Sequence, residues 1–239
     1  MNKIKLFCFP YAGGSASIYT RWKKLIGDSI LFYPIELSGH GKRIMEAPYK
    51  EFNDIINDML NTISKEDIDN SSYAFFGHSM GALIVYELTM RIYKENIKGP
   101  KQVFISGMSI PENNFYFKNI HLLSENELLN ELVKLGGIPQ EVLENHNLIR
   151  VFTPIFKNDF RLLNYYLNER HQDKFKCDLT VFYGSEDIIQ EQDILQWQNY
   201  TEKSSSFYKL NGGHFFINKQ FQDITKIING ILNNGLQVK

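Results

Sequence analysis

Cysteine is scarce. The 239 residues include two, Cys8 and Cys177, and their positions match no metal-ligand spacing. Both lie in or beside apolar stretches, so reduced, buried thiols in a cytoplasmic protein are expected. Excess charge of either sign is also missing, with 26 Lys and Arg against 27 Asp and Glu and a formal net charge of −1. That balance gives no reason to expect nucleic acid or an anionic membrane as a partner. No apolar run approaches the length of a membrane span. The N-terminal "MNKIKLFCFP" has too short an apolar part, cut by Pro10, to read as a signal peptide. Repeats and low-complexity segments are absent as well. What remains is an ordinary globular composition, 43% hydrophobic and 22% charged, enough for one α/β domain over residues 1–239 with a substantial core.

Short apolar or alternating runs predict strands at Ile4–Phe9, Ile30–Glu36, Tyr73–Phe76, Gln102–Ser106, Leu179–Tyr183 and Ser206–Leu210. Amphipathic segments separate most of them. Ile18, Trp22, Leu25 and Ile26 would share a helical face. So would Phe52, Ile55, Ile56, Met59, Leu60 and Ile63, and later Phe221, Ile224, Ile227, Ile228 and Ile231. Strands alternating with helices predict a mainly parallel sheet covered on both faces. One interval is too long for a simple crossover. Residues of about 109–176 hold a capping-box pattern, Ser124-Glu125-Asn126-Glu127, then Leu128, Leu129, Leu132, Val133 and Leu135 before Gly136-Gly137. "LIRVFTPIF" and "FRLLNYYL" follow. This aromatic helical insertion, set where strand ends open, is expected to form a lid over a pocket; a helical subdomain with its own core is the plainer alternative.

The chemistry centres on Gly77-His78-Ser79-Met80-Gly81, a G-x-S-x-G pattern at a strand-to-helix corner. A tight turn there lifts the serine oxygen above the sheet, and flanking glycines let strand and helix approach. A serine needs a base, and the base an orienting carboxylate. Enzymes with this corner supply them in the order Ser, acid, His. "DLTVFYG" runs into Ser185-Glu186-Asp187, and "SFYKLNGGHFF" runs into His214. Ser79, Asp187 and His214 are therefore the predicted catalytic residues, with Glu186 and Asp193 as rival acids. His40 is expected in a glycine-bent loop at the cleft edge, and His78 to pack rather than titrate. His121, His146 and His171 fall in the insertion. An oxyanion hole needs two backbone donors. Met80 N–H is one, and the "FPYAGGS" loop supplies the other, Ala12 first and Tyr11 second. A plain strand-to-helix turn is the alternative reading of that loop.

Taken together, "FCFPYAGGSASIY", "FFGHSMGALIVYEL", "LGGIPQEVLEN", "YGSEDI" and "LNGGHFFI" resemble the stand-alone type II thioesterases that accompany nonribosomal peptide and polyketide synthases. The resemblance covers nearly the whole chain; "LSGHGKR" departs slightly from relatives that read Pro-Gly there. It implies an α/β-hydrolase fold with a lid, and Ser79, Asp187 and His214 as a triad. It also implies removal of stalled or wrong acyl groups from the phosphopantetheine arm of carrier proteins, in antibiotic-type biosynthesis. No cofactor or metal is expected, and the chain is expected to be a monomer. Lys42, Arg43 and Arg161 are candidates for meeting an acidic carrier protein. A triad alone predicts hydrolysis or acyl transfer, so a carboxylesterase or lipase, an acyltransferase and a non-catalytic binding module are the competing readings.

Overall fold

The computed structural model describes residues 3–113, 116–137, 145–166 and 172–234. Within these, strands β1 (Ile4–Phe9), β2 (Ile30–Pro34), β3 (Ser72–His78), β4 (Gln102–Ser106), β5 (Asp178–Gly184) and β6 (Ser205–Leu210) form one parallel sheet. Its order is β2-β1-β3-β4-β5-β6. The central strands are covered on both sides, which is why they read as near-continuous apolar runs. Alternation along β3 divides the core: Tyr73 and Phe75 enter one layer, Ala74 and Phe76 the other.

Helices α1 (Phe52–Ser64) and α2 (Met80–Lys94) cover the first layer. A capping box between Glu51 and Asp54 starts α1, which buries Phe52, Ile55, Ile56, Met59 and Ile63. The second layer is closed by Tyr19 and Trp22 and by the C-terminal helix (Phe221–Asn234), which contributes Ile224 and Ile228. The Ile18–Ile26 segment departs from expectation. It forms two 3-10 turns, Ala16–Tyr19 and Trp22–Lys24, rather than one helix. Tyr19 reaches beneath the sheet to donate its hydroxyl to the Phe9 carbonyl at 2.6 Å, and Thr20 Oγ1 bonds back to the Ser17 carbonyl at 2.7 Å. In the backbone, i→i−3 bonds (Thr20 N–H to the Ser17 carbonyl at 3.0 Å, Leu25 N–H to that of Trp22 at 2.8 Å) mark the turns, while Trp22 stays in the core.

Between β4 and β5 lie α3 (Glu125–Leu135) and α4 (His146–Tyr166). The Ser124–Glu127 capping box is formed, and α3 ends at Gly136 with φ 75°, a left-handed position that favours glycine. The 21-residue α4 joins both aromatic runs into one helix despite Pro154. Tyr166 at its end stacks on Phe52 of α1 with ring centroids 4.4 Å apart. Residues 138–144 of the "LGGIPQEVLEN" run, and His171, lie outside the described residues. A five-residue helix, α5 (Glu191–Leu195), follows β5; the C-terminal helix is α6.

Candidate active site

Ser79 sits between the last residue of β3 and the first of α2, with φ 54° and ψ −118°. A non-glycine residue holds such a conformation only where its surroundings enforce it. Here they do: the Ser79 N–H donates to the Ser106 carbonyl at 2.8 Å, and its own carbonyl accepts the Ala82 N–H at 2.9 Å. The flanking glycines are sterically required. A Cβ on Gly77 would lie 2.1 Å from the Gly81 carbonyl oxygen, and one on Gly81 would lie 2.2 Å from that of Phe9. Gly81→Ala is expected to destabilise the protein by about 3 kcal/mol, the upper end for over-packing. For a domain of this size that is a fall in Tm of about 6–12 °C in a thermal melt, and an unchanged Tm would contradict the steric account.

Asp187 and His214 arrive on two loops stitched to each other. Ser185 N–H donates to the Leu210 carbonyl at 2.8 Å, and Glu186 N–H to that of Gly212 at 2.9 Å. Gly212 takes φ 123°, letting the chain turn back immediately after β6. The result is a chain of side-chain hydrogen bonds. His214 Nε2 lies 2.9 Å from Ser79 Oγ, and His214 Nδ1 lies 3.2 and 3.1 Å from the Asp187 carboxylate oxygens. Both side chains of the His–Asp pair are 2% exposed. Because Nδ1 faces a carboxylate it carries the proton, and Nε2 is left to accept the serine O–H. Asp187 Oδ1 also accepts the Ile189 N–H at 3.2 Å, which fixes the acid itself.

Neither rival acid has a hydrogen bond to His214, whose Nδ1 faces Asp187. Glu186 points to solvent. Asp193 accepts the Tyr116 hydroxyl at 3.1 Å, so Tyr116 joins the insertion to the loop carrying the acid. His78 is fully buried, with Nδ1 2.8 Å from Ser106 Oγ. Burial, and then the nearby His214, push its pKa well below the usual histidine value, so it stays neutral. Its ring packs 5.4 Å from that of His214. Phe117, from the insertion, lies 5.2 Å from the His214 ring on centroids and 6.2 Å from Phe160 of α4.

The loop after β1 presents free amides beside the serine corner. Gly14 N–H closes onto the Tyr11 carbonyl at 2.8 Å, and Gly13 N–H donates to Asp159 Oδ2 at 2.7 Å. The Tyr11, Ala12 and Met80 amides have no such acceptor among the described residues. Asp159 was not foreseen from sequence. It is 1% exposed on α4, and its Oδ2 also lies 2.9 Å from His40 Nε2. Two of the three basic candidates for a partner surface make contacts within the molecule. Arg43 binds Glu46 and Asp58, and Arg161 donates to the Lys50 and Tyr49 carbonyls. Among the described residues no cluster of His, Cys, Asp and Glu could hold a metal ion, and no helix is long and apolar enough to cross a membrane.

A parallel sheet of this order, with a serine at a glycine-flanked strand-to-helix corner and helices on both faces, is an α/β-hydrolase fold. A thioesterase domain model matches residues 4–232, and the chain belongs to that family. Gramicidin S biosynthesis protein GrsT of Aneurinibacillus migulanus is 32% identical over 216 residues, covering 90% of this chain and 83% of the relative. The crystal structure of ClbQ from the colibactin NRPS/PKS pathway superposes with a TM-score of 0.91 at 30% identity, covering 99% of both chains. The type II thioesterase BorB from the borrelidin biosynthetic cluster gives a TM-score of 0.85 at 26% identity over 96% of this chain and 93% of its own. Within that family the chain resembles the stand-alone type II thioesterases of NRPS/PKS pathways.

Proposed function

We propose that the protein is a serine thioesterase that removes acyl or aminoacyl groups from the phosphopantetheine arm of carrier proteins, editing stalled or misprimed synthases. The observation that carries this reading is the unbroken hydrogen-bond chain from Ser79 Oγ through His214 to Asp187. Attack of Ser79 Oγ on the thioester carbonyl passes the serine proton to His214 Nε2, and the Asp187 carboxylate stabilises the imidazolium that forms. The Met80 and Ala12 amides serve as donors to the tetrahedral oxyanion. Collapse breaks the carbon–sulfur bond; the departing thiolate, whose conjugate acid has a pKa of roughly 8.5, needs little help and takes the proton from His214. Water then attacks the acyl-serine, gives its proton to the same nitrogen, and the acid leaves as the serine O–H is restored.

Carrier-bound substrate follows from the company the chain keeps. Its relatives include a gramicidin S biosynthesis protein and a ClbQ thioesterase-fold structure from an NRPS/PKS pathway. The apolar rings of Phe117 and Phe160 beside His214 favour the reading of the insertion, about residues 109–176 of one domain, as a lid. A cytoplasmic monomer with no nucleic-acid partner completes the reading, in keeping with two buried unpaired cysteines and a balanced charge. Acetyl- or aminoacyl-carrier protein is expected to be hydrolysed with kcat/KM at least about 100-fold above that for p-nitrophenyl acetate, a preference of about 2.7 kcal/mol in transition-state binding. Equal or better turnover of the simple ester would reassign the protein as a general carboxylesterase.

A further inference from the structure

Three segments distant in sequence meet at one carboxylate beside the serine corner. Asp159 Oδ2, on α4, accepts the Gly13 N–H from the loop after β1 and faces His40 Nε2 from the loop after β2. We infer that Asp159, oriented by His40, is a positioning residue for the oxyanion hole, fixing the Gly13 amide and thereby the adjacent Ala12 N–H. This rests on the assignment of Ala12 as an oxyanion donor.

The chemistry of the pair is set by its neighbours. His40 Nδ1 lies 3.0 Å from the Ser38 carbonyl, which can only accept, so that nitrogen donates. Nε2 faces a carboxylate and donates as well, making the ring an imidazolium. Burial opposes this charge, but the Asp159 hydrogen bond and charge, the Ser38 carbonyl and the Glu36 carboxylate outweigh it, and the His40 pKa stands above the usual value. The two side chains are 5% and 2% exposed. A buried ion pair is poor value as a source of stability, because desolvation cancels most of its attraction. What it does supply is direction: one carboxylate oxygen held between a ring N–H and a backbone N–H.

The rest of the loop is pinned to match. Glu36 Oε1 accepts the Ala16 N–H at 2.9 Å while its Oε2 accepts the Lys42 N–H at 3.1 Å. Gly13 has φ 73°, and a Cβ there would lie 2.0 Å from the Phe156 ring of α4. Gly13 is thus held by a carboxylate on its nitrogen and an aromatic ring against its α-carbon, both from the insertion. Immediately before these anchors at Gly13 and Ala16, the Tyr11 and Ala12 amides have no acceptor among the described residues. Donors prearranged in this way stabilise an oxyanion because they need not reorganise when the charge appears.

The test uses the full chain, with acetyl-carrier protein and p-nitrophenyl acetate as substrates. Asp159→Ala removes the acceptor of the Gly13 N–H and is expected to lower kcat about 30- to 100-fold on both, with KM changed less than about twofold, since a small displacement at the reacting centre is costly. Asp159→Asn keeps an oxygen for that N–H and is expected to restore kcat to within about tenfold of wild type. Binding of a trifluoromethyl ketone, which forms a tetrahedral adduct on the serine, is expected to weaken in the same order. If Asp159→Ala does not fold, His40→Gln takes its place, with an expected kcat loss of about 5- to 20-fold. Wild-type kcat in the substituted protein, or equal losses in the Ala and Asn variants, overturns the inference. Activity surviving in a Ser79→Ala protein instead overturns the serine assignment beneath it, so the two failures are distinguishable.

Discussion

Ser79→Ala is expected to lower kcat for thioester hydrolysis by about 10⁶-fold, the scale on which removal of a serine nucleophile acts. The size of the effect follows from what the oxygen does: without it His214 has no proton to accept and no acyl-enzyme can form. Fold should be unaffected. The strained backbone at residue 79 is held by the Ser106 carbonyl and the Ala82 N–H, neither of which involves the side chain. The near-UV spectrum and thermal melt are therefore expected to match wild type. A fluorophosphonate probe gives a second readout, adding its mass to the wild-type protein and none to the variant. Retention of a stoichiometric adduct by Ser79→Ala would place the nucleophile elsewhere.

Asp187→Asn is expected to reduce kcat by about 10⁴-fold with little change in KM. The Ile189 N–H would still hold an oxygen at this position, so the side chain stays where it is. The electrostatics change completely. An amide NH₂ opposite His214 Nδ1 favours the tautomer protonated on Nε2, the nitrogen that must accept the serine proton. It also removes the negative charge that stabilises the imidazolium. Glu186→Gln and Asp193→Asn are the informative comparisons, because both acids compete on sequence alone. Glu186 is exposed, and Asp193 pairs with the Tyr116 hydroxyl. A loss in Glu186→Gln as large as that in Asp187→Asn would transfer the role.

The serine corner could be read from the chain because its demands are local. At Gly77 and Gly81 a Cβ would strike backbone, and the change from a strand period to a helix period falls between them. The order of Asp187 and His214 was legible for a different reason: in a parallel sheet successive strand ends open on one side, so loops after β5 and β6 must face that after β3. Strand positions followed from apolar runs buried on both faces. Asp159 illustrates what was hidden. It lies 146 residues from Gly13 and 119 from His40, on a helix whose apolar pattern gives no cue to one inward carboxylate. The contacts of Arg43 and Arg161 were hidden for the same reason, since the Glu36, Tyr49 and Lys50 carbonyls and the Asp58 carboxylate come near them only by folding. The Ile18–Ile26 face did pack its Trp22 inward, but as two 3-10 turns rather than one helix.

Pro154 lies inside the continuous helix α4. With no N–H at that position, the Arg150 carbonyl loses its partner in the helical ladder. Downstream, Phe156, Asp159, Phe160 and Leu163 are buried against the body of the protein. Upstream, Leu148 and Val151 offer their apolar surface to solvent. The missing ladder bond therefore falls where the helix passes from turns partly open to solvent to turns seated against the loops that carry Gly13 and His40.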